Sequence, residues 1–283
     1  RIIVDTDIGS DPDDFFALLL LLRLGKNIDL VITGDEYNNK RATLARRILN
    51  LAGKSEVPVV QGPDLGRKNF HADALIQGCN YSFSKDPLAA IETICEEADE
   101  ILYLGLQGFT NLAQILFKRP DLKEKLNIFQ MGGALGFSRG EDWVEHNIKI
   151  DPESARFVLN SGARISLVQT ATTEASEAYR LHFAHPLYNA LHKSNDVLEY
   201  MLARHCTLFY EKKGRYTYMG DPLTVTAALG YNFVSFDEKS LFLNEDNQLQ
   251  EGEGHLLRIS KRESKSEMFM SFIETLLCSE RKV

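Results

Sequence analysis

The run Ile2-Ile3-Val4-Asp5-Thr6-Asp7-Ile8-Gly9-Ser10-Asp11-Pro12-Asp13-Asp14 places five carboxylates within ten residues. An apolar stretch suited to a buried strand precedes them, and a helical stretch apolar on nearly all sides follows. Part of the cluster has a purely structural use. Asp11 suits a helix N-cap and Pro12 the first helical position, and Asp13 and Asp14 then fall in the first turn, where the helix dipole favours negative charge. Five together do not, because their mutual repulsion at a buried strand end is costly without a cation. Hard oxygen donors with no histidine or cysteine among them point to Ca²⁺ or Mg²⁺ rather than zinc.

Two reaction classes use an Asp-x-Asp at a strand end with such a metal. One is phosphoryl transfer through an aspartyl nucleophile, as in haloacid-dehalogenase-like phosphatases; the other is hydrolysis by an activated water. The phosphatase pattern wants Asp-x-Asp-x-Thr/Val. Gly9 stands at the last of those places and Asp13-Asp14 is left without a task, so hydrolysis fits better.

The elements that must position this cluster alternate. Strand-like runs at Ile2–Asp5, Ile28–Thr33, Val57–Val60, Ile101–Gly105, Ile128–Met131 and Ile165–Val168 are separated by helical patterns at Pro12–Leu24, Lys40–Leu51, Pro87–Glu97, Asn111–Phe117 and Pro152–Asn160. That order implies parallel strands with right-handed crossovers, and their apolar character implies helices on both faces. The expectation is an α/β fold with a doubly wound, mainly parallel sheet and a helical elaboration near residues 171–230. Two further strands are expected at Ser240–Asn244 and His255–Ser260, and a last helix over Ser266–Cys278, all within one domain, 1–283. Asp86-Pro87, Asp151-Pro152 and Asp221-Pro222 read as three copies of one capping device.

The 283 residues are 44% apolar with a net charge of −8, an ordinary globular composition that argues against a non-specific nucleic-acid binder. The basic stretch Arg258–Lys265 reads as a solvated strand end. Cys79, Cys95, Cys206 and Cys278 form no Cys-x-x-Cys pair and read as buried thiols of a reducing compartment. The most apolar run, Phe15 to Leu22, is eight residues, against about 20 needed to span a membrane. With no signal-peptide pattern, the expected location is cytoplasmic.

Other strand ends carry matching signals: Thr33-Gly34-Asp35-Glu36, Leu104-Gly105-Leu106-Gln107-Gly108-Phe109-Thr110-Asn111-Leu112, Met131-Gly132-Gly133-Ala134, Glu145-His146-Asn147 with Asp151-Pro152-Glu153, and Gly220-Asp221-Pro222-Leu223. With the aspartate cluster they resemble, in order from residue 2 to about residue 229, the nucleoside hydrolases of the inosine–uridine-preferring superfamily. The resemblance implies a tightly held Ca²⁺, hydrolysis of a ribosyl C1′–N bond, a small-molecule nucleoside or riboside as partner, and a homodimer or homotetramer. It makes Asp7, Asp14 and Asp221 carboxylate ligands, with the main-chain carbonyl at Leu106 as a fourth. Asp7 would take the proton of the attacking water, and Asp13 would hold the ribose hydroxyls. Glu145 and Asn147, with the Met131 backbone, would bind the 3′ and 5′ sides of the sugar.

Three positions depart from that pattern: Asp35 follows Gly34 where the family has Asn, Arg139 stands where an Asn meets the 5′-hydroxyl, and Gly220 precedes Asp221-Pro222 where relatives have His. Asp35 and Arg139 are expected to neutralise each other across the pocket, the alternative being that Arg139 meets an anionic 5′ substituent. With Gly220 unable to protonate a leaving base, the available donors are His71, His182, His185, Tyr216 and Tyr218. His146 is expected to point away from the site, and Trp143 lies beside the sugar-binding run. A non-catalytic ribose or nucleoside binder that retains the metal site is the competing reading. Ribosides whose leaving group needs no proton should be better substrates than pyrimidine nucleosides.

Overall fold

A computed structural model describes residues 1–278, Cys278 by its backbone alone. Its first half follows the expected alternation: β1 (Ile2–Thr6), α1 (Asp13–Arg23), β2 (Leu30–Thr33), α2 (Lys40–Leu51), β3 (Val59–Gln61), α3 (Pro87–Glu97), β4 (Ile101–Gly105), α4 (Thr110–Lys118) and β5 (Leu126–Met131). Then come α5 (His146–Ile150), α6 (Pro152–Leu159), β6 (Arg164–Val168), α7 (Thr170–Thr173), β7 (Arg180–Leu181), α8 (Pro186–His192), α9 (Val197–Lys213), β8 (Thr217–Tyr218) and α10 (Gly220–Ala228). Three longer-range elements close the chain: β9 (Val234–Leu243), β10 (Leu249–Glu251) and β11 (His255–Ser264), followed by α11 (Ser266–Cys278).

Nine strands form one sheet in the order β10-β9-β11-β6-β5-β4-β1-β2-β3. β3 through β6, with β1 and β2 between them, are all parallel, and β11 joins β6 in parallel before the antiparallel pairs with β9 and β10. Period-2 alternation explains the two cores: in β1, Val4 packs with α1, α2, α9 and α10 on one face, and Ile3 packs with the α3, α4 and α6 side. β1 is thus buried on both sides, which is why it carries no polar alternation. α1 is buried from Asp14 through Leu21 because the sheet lies on one side of it and α10 and α11 on the other.

The strand order reverses between β1 and β4, so the chain runs outward in both directions from that seam. A crevice opens at the carboxyl ends of the strands at such a reversal. Residues 171–230 are mainly helical, but they include a small two-stranded ribbon, β7 with β8, that short-range patterns did not foretell. The third late strand, β10, was also not anticipated: three residues paired antiparallel to β9 at the sheet edge leave too short a period to read. No helix among the described residues is long and apolar enough to cross a membrane. Cys79 is half-buried and Cys95 and Cys206 are buried, all as free thiols; the side chain of Cys278 lies outside the described residues.

Candidate active site

A cavity of about 360 Å³ lies at the seam. The loop after β1 and the first turn of α1 supply Asp7, Ser10, Asp11, Asp13 and Asp14; the loop after β4 supplies Leu106; the end of β5 supplies Met131. The 139–149 segment adds Arg139, Trp143, Glu145, His146, Asn147 and Lys149, and the helical elaboration adds Phe209, Lys213, Arg215, Tyr218, Gly220 and Asp221. Segments more than 200 residues apart therefore share one wall, with the Asp221 amide 3.4 Å from Asp13 Oδ2.

Carboxylate oxygens of Asp13, Asp14 and Asp221 lie within 4.8 Å of one another. Burial, and then the charges of their neighbours, hold all three carboxyls well above the usual carboxylate range. A divalent cation among them removes both penalties at once, and an all-oxygen donor set suits a hard cation. The Thr6 hydroxyl donates to Asp14 and orients it from behind.

Asp7, expected among the ligands, lines the same cavity, and Asp13, expected as a sugar contact, is the third member of the close trio. Beneath this loop lies Arg41, a fully buried arginine that sequence reasoning missed. Its guanidinium donates to the Asp7 carbonyl, to Ser10 Oγ at 2.8 Å and to the Asn69 carbonyl at 3.0 Å. Nη2 also approaches Asp7 Oδ2 to 3.9 Å. In the sequence Lys40-Arg41 looks like the outer face of a helix, and nothing local says that the loop after β1 folds over it. The loop is held down at Gly9 as well: with φ +100°, a Cβ there would lie 2.2 Å from the Phe70 ring, so only glycine fits.

Behind this wall Asp5 accepts from Tyr103 at 2.5 Å, Gln107 at 2.8 Å and Asn111 at 2.7 Å, which ties β1 to β4 and α4. Burial raises its carboxyl to about 6 despite those bonds. On the opposite wall Glu145 caps α5, accepting from the amides of Asn147 and Ile148, and also from Gly133 at 3.1 Å. Asn147 donates to the Met131 carbonyl at 3.0 Å, so the three residues expected around the sugar are one bonded unit.

Several expectations fail. Asp35 and Arg139 do not pair. Asp35 is buried behind the loop, 3.4 Å from Arg41 and 3.6 Å from Arg67, and does not line the cavity; Arg139 does line it and pairs with Glu174. Asp35 takes φ +44° and burial raises its carboxyl to about 6. Chain counting placed both residues near the pocket but could not supply Arg41 or Glu174 as nearer partners. His146 faces the cavity rather than away, because Glu145-His146-Asn147 opens a helix instead of running as a strand.

Of the expected leaving-group donors, Tyr218 lines the cavity. His182 packs against His185 and Tyr216 in an aromatic cluster with Phe183 and Tyr210. His185 caps α8, its Nδ1 accepting from the Leu187 amide at 3.2 Å. His71 sits behind Asn69, 2.9 Å from its side chain, and burial lowers its pKa to about 4, leaving a neutral imidazole. Phe209 and Lys213 were missed as lining residues; their i, i+4 spacing puts them on one face of α9, but that face is identified only by what it packs against.

Asp11 is not the N-cap of α1. Pro12 holds that place without a side-chain bond, and Asp11 instead accepts from Thr217 and lies 3.4 Å from Arg215. Asp221 is not a cap either: α10 starts at Gly220, with Asp221 already inside its first turn.

Residues 2–271 match the family model described as inosine-uridine preferring nucleoside hydrolase. Among curated proteins, the pyrimidine-specific ribonucleoside hydrolase RihA of Shewanella oneidensis is 30% identical over 194 residues, 62% of this chain and 60% of that protein. The chain thus matches about 60% of the length of the curated relatives it resembles. Among solved structures, the plant nucleoside hydrolase PpNRh1 superposes with a TM-score of 0.83 at 20% identity, over 99% of both chains. A purine-preferring ribonucleoside hydrolase from Gardnerella vaginalis does so with a TM-score of 0.81 at 19% identity, over 98% of both. At these identities the superpositions establish the fold.

Proposed function

The chain belongs to the inosine-uridine preferring nucleoside hydrolase family, and on that footing we propose that it hydrolyses the N-glycosidic bond of a ribonucleoside or related riboside, releasing base and ribose. The observation that carries this reading is the convergence of buried carboxylates with Glu145, Asn147 and Met131 on one cavity at the sheet's reversal point. The aspartyl-nucleophile alternative finds no support in the family match.

The cation of this reading is Ca²⁺, and Asp7, Asp14, Asp221 and the Leu106 carbonyl would hold it. When bound, it supplies a positive charge that orients the sugar diol and lowers the pKa of water. Asp7 accepts the proton of the water that attacks C1′. Asp13 holds the ribose hydroxyls, and Glu145 and Asn147 hold the far side of the ring. As the C1′–N bond breaks, positive charge grows on the ribosyl group and faces a wall of fixed carboxylates. Whether Asp13 is a ligand, as its closeness to Asp14 and Asp221 suggests, or a sugar contact is read by calorimetry: Asp13→Asn weakens Ca²⁺ binding as much as Asp14→Asn in the first case only.

On the leaving-group side, Phe209, Trp143 and Tyr218 offer aromatic surface to a base, and Tyr218 is the expected donor that lines the cavity. A second reading, a non-catalytic ribose or nucleoside binder, is favoured by one feature: Gly220 presents no side chain beside Asp13 and Met131. A homodimer or homotetramer and a cytoplasmic location belong to the main reading, and light scattering and cell fractionation test them. Reducing-sugar release is the deciding measurement, across nucleosides, nucleotides and nitrophenyl riboside, with Ca²⁺ and after chelation. Release from at least one riboside, lost on chelation, supports the hydrolase. Tight ribose binding with no release from any riboside selects the binder.

A further inference from the structure

Two arginines at the cavity mouth have no task in the chemistry above, and a cation near a ribosyl group that is becoming positive works against it. Arg139 comes from the segment between β5 and α5, and Arg215 from the turn between α9 and β8, yet both line the same cavity. They are built alike. The Arg139 guanidinium lies 5.3 Å from the Trp143 ring centre, and the Arg215 guanidinium 4.9 Å from that of Phe209. Each is braced by one carboxylate, Arg139 by Glu174 and Arg215 by Asp11 at 3.4 Å. Arg139 spends Nε and Nη2 on Glu174, with the Nε bond at 3.2 Å, which leaves Nη1 free to donate. Both side chains are half-exposed, 50% and 54%.

An aromatic shelf and a single brace fix a planar fork while leaving N–H groups to spare, the arrangement suited to bidentate recognition of phosphate. The two forks also act on each other: burial, and then the charge of Arg215, lowers the Arg139 pKa. An anion between them relieves that repulsion. Lys149 and Lys213 line the same cavity and add to the positive rim. Glu145, the carboxylate of the sugar wall, spends Oε2 on the amides of Gly133, Asn147 and Ile148.

We infer that Arg139 and Arg215 form an anion subsite that takes the phosphoryl group of a phosphorylated riboside, which makes that class, rather than neutral nucleosides, the preferred substrate. The inference rests on the hydrolase reading for the place of the ribose at the carboxylate floor.

Two measurements on the Ca²⁺-loaded protein test it. Calorimetry compares ribose 5-phosphate with ribose. Kinetics compare uridine with its 3′- and 5′-monophosphates, and nitrophenyl riboside reports hydrolysis itself. The phosphorylated ligand should bind, and at least one nucleotide should turn over, about ten- to hundredfold better, the range of a charge-assisted contact. Arg139→Gln and Arg215→Gln should each remove most of that preference through KM, Arg→Lys at either place should restore part of it, and added salt should weaken it. Equal binding of ribose and ribose 5-phosphate, or a preference untouched by both Gln variants, overturns the subsite. If nitrophenyl riboside is cleaved and no phosphate preference exists, only this inference falls. If no riboside is cleaved yet ribose 5-phosphate binds through the two arginines, the subsite stands and the hydrolase reading falls.

Discussion

Four Asp-Pro steps occur in the chain, and they divide into two pairs. At Asp86-Pro87 and Asp151-Pro152 the carboxylate accepts the amide three residues on, both at 3.1 Å, and opens α3 and α6. At Asp11-Pro12 and Asp221-Pro222 the same dipeptide caps nothing, and its carboxylate turns into the cavity. The charges diverge as well. Asp151 is partly buried, which raises its carboxyl, but bonds from Ser154 and Thr110 outweigh this and hold it below the usual range. Asp221 is buried among other carboxylates and is held well above it. A local signature reports what a segment can do; the packing around it decides whether that capacity is spent on the helix or left for a ligand.

The largest effect should come from exchanging the roles' consequences. Asp221→Ala should lower turnover by more than about a hundredfold, beyond the loss typical of residues that only support metal ligands, and weaken Ca²⁺ binding by calorimetry. It should also raise metal-free stability by removing a repelling charge. Asp151→Ala should leave Ca²⁺ binding intact. An Asp221→Ala variant with normal Ca²⁺ affinity would collapse the distinction between the two pairs.

Next in size is Arg41, which holds the cavity's first loop as no cap holds α3 or α6. Arg41→Met strips Asp35 of the nearer and fully buried of the two arginines beside it and three loop acceptors of their donor, and should cost about 3–5 kcal/mol in urea denaturation. Adding Asp35→Asn should recover part of that cost, since a buried charge left with the half-exposed Arg67 is then gone. A loss below about 1 kcal/mol would show that water replaces the guanidinium, and that the loop is held chiefly at Gly9.

The caps come third. Asp86→Ala and Asp151→Ala should each cost about 1 kcal/mol, the usual worth of a cap, with unchanged KM. A kinetic effect from either would mean that the cap pair also serves the cavity.

Last comes an effect that is nil at neutral pH and grows only in acid, a pH dependence behind the cavity. His205 on α9 is fully buried against the Gly9–Ser10 backbone, neither ring nitrogen makes a hydrogen bond of ordinary geometry, and burial lowers its pKa to about 3. The unfolded chain therefore takes up a proton near pH 6.5 that the folded chain refuses. The resulting stability is fully present above about 6.5 and is lost as pH falls toward 3. His205→Leu should flatten that slope in thermal unfolding between pH 6.5 and 4; an unchanged slope would place the acid sensitivity elsewhere, with His71 the next group to replace.

The alternation of strands and helices was legible because both periods are local, and α2 and α3 begin and end where their patterns do. Most of the site was legible too, since Asp13, Asp14, Glu145 and Asn147 stand at strand ends or helix starts, where an open parallel sheet places its ligands. His182, His185 and Tyr216 stayed open as donors because residue type alone cannot distinguish an aromatic cluster from a pocket wall.

The sequence by itself determined the sheet's winding, and with it which strand ends could meet. It also determined the surplus of carboxylates at the first of them, because composition and periodicity are set along the chain. Only the tertiary structure decided that Asp13 gathers with Asp14 and Asp221, that Arg41 lies under the loop, and that Asp35 and Arg139 part to separate partners. Those outcomes are competitions between groups far apart in the chain, and an ion pair or a metal ligand is chosen by distance in space, which sequence spacing does not supply.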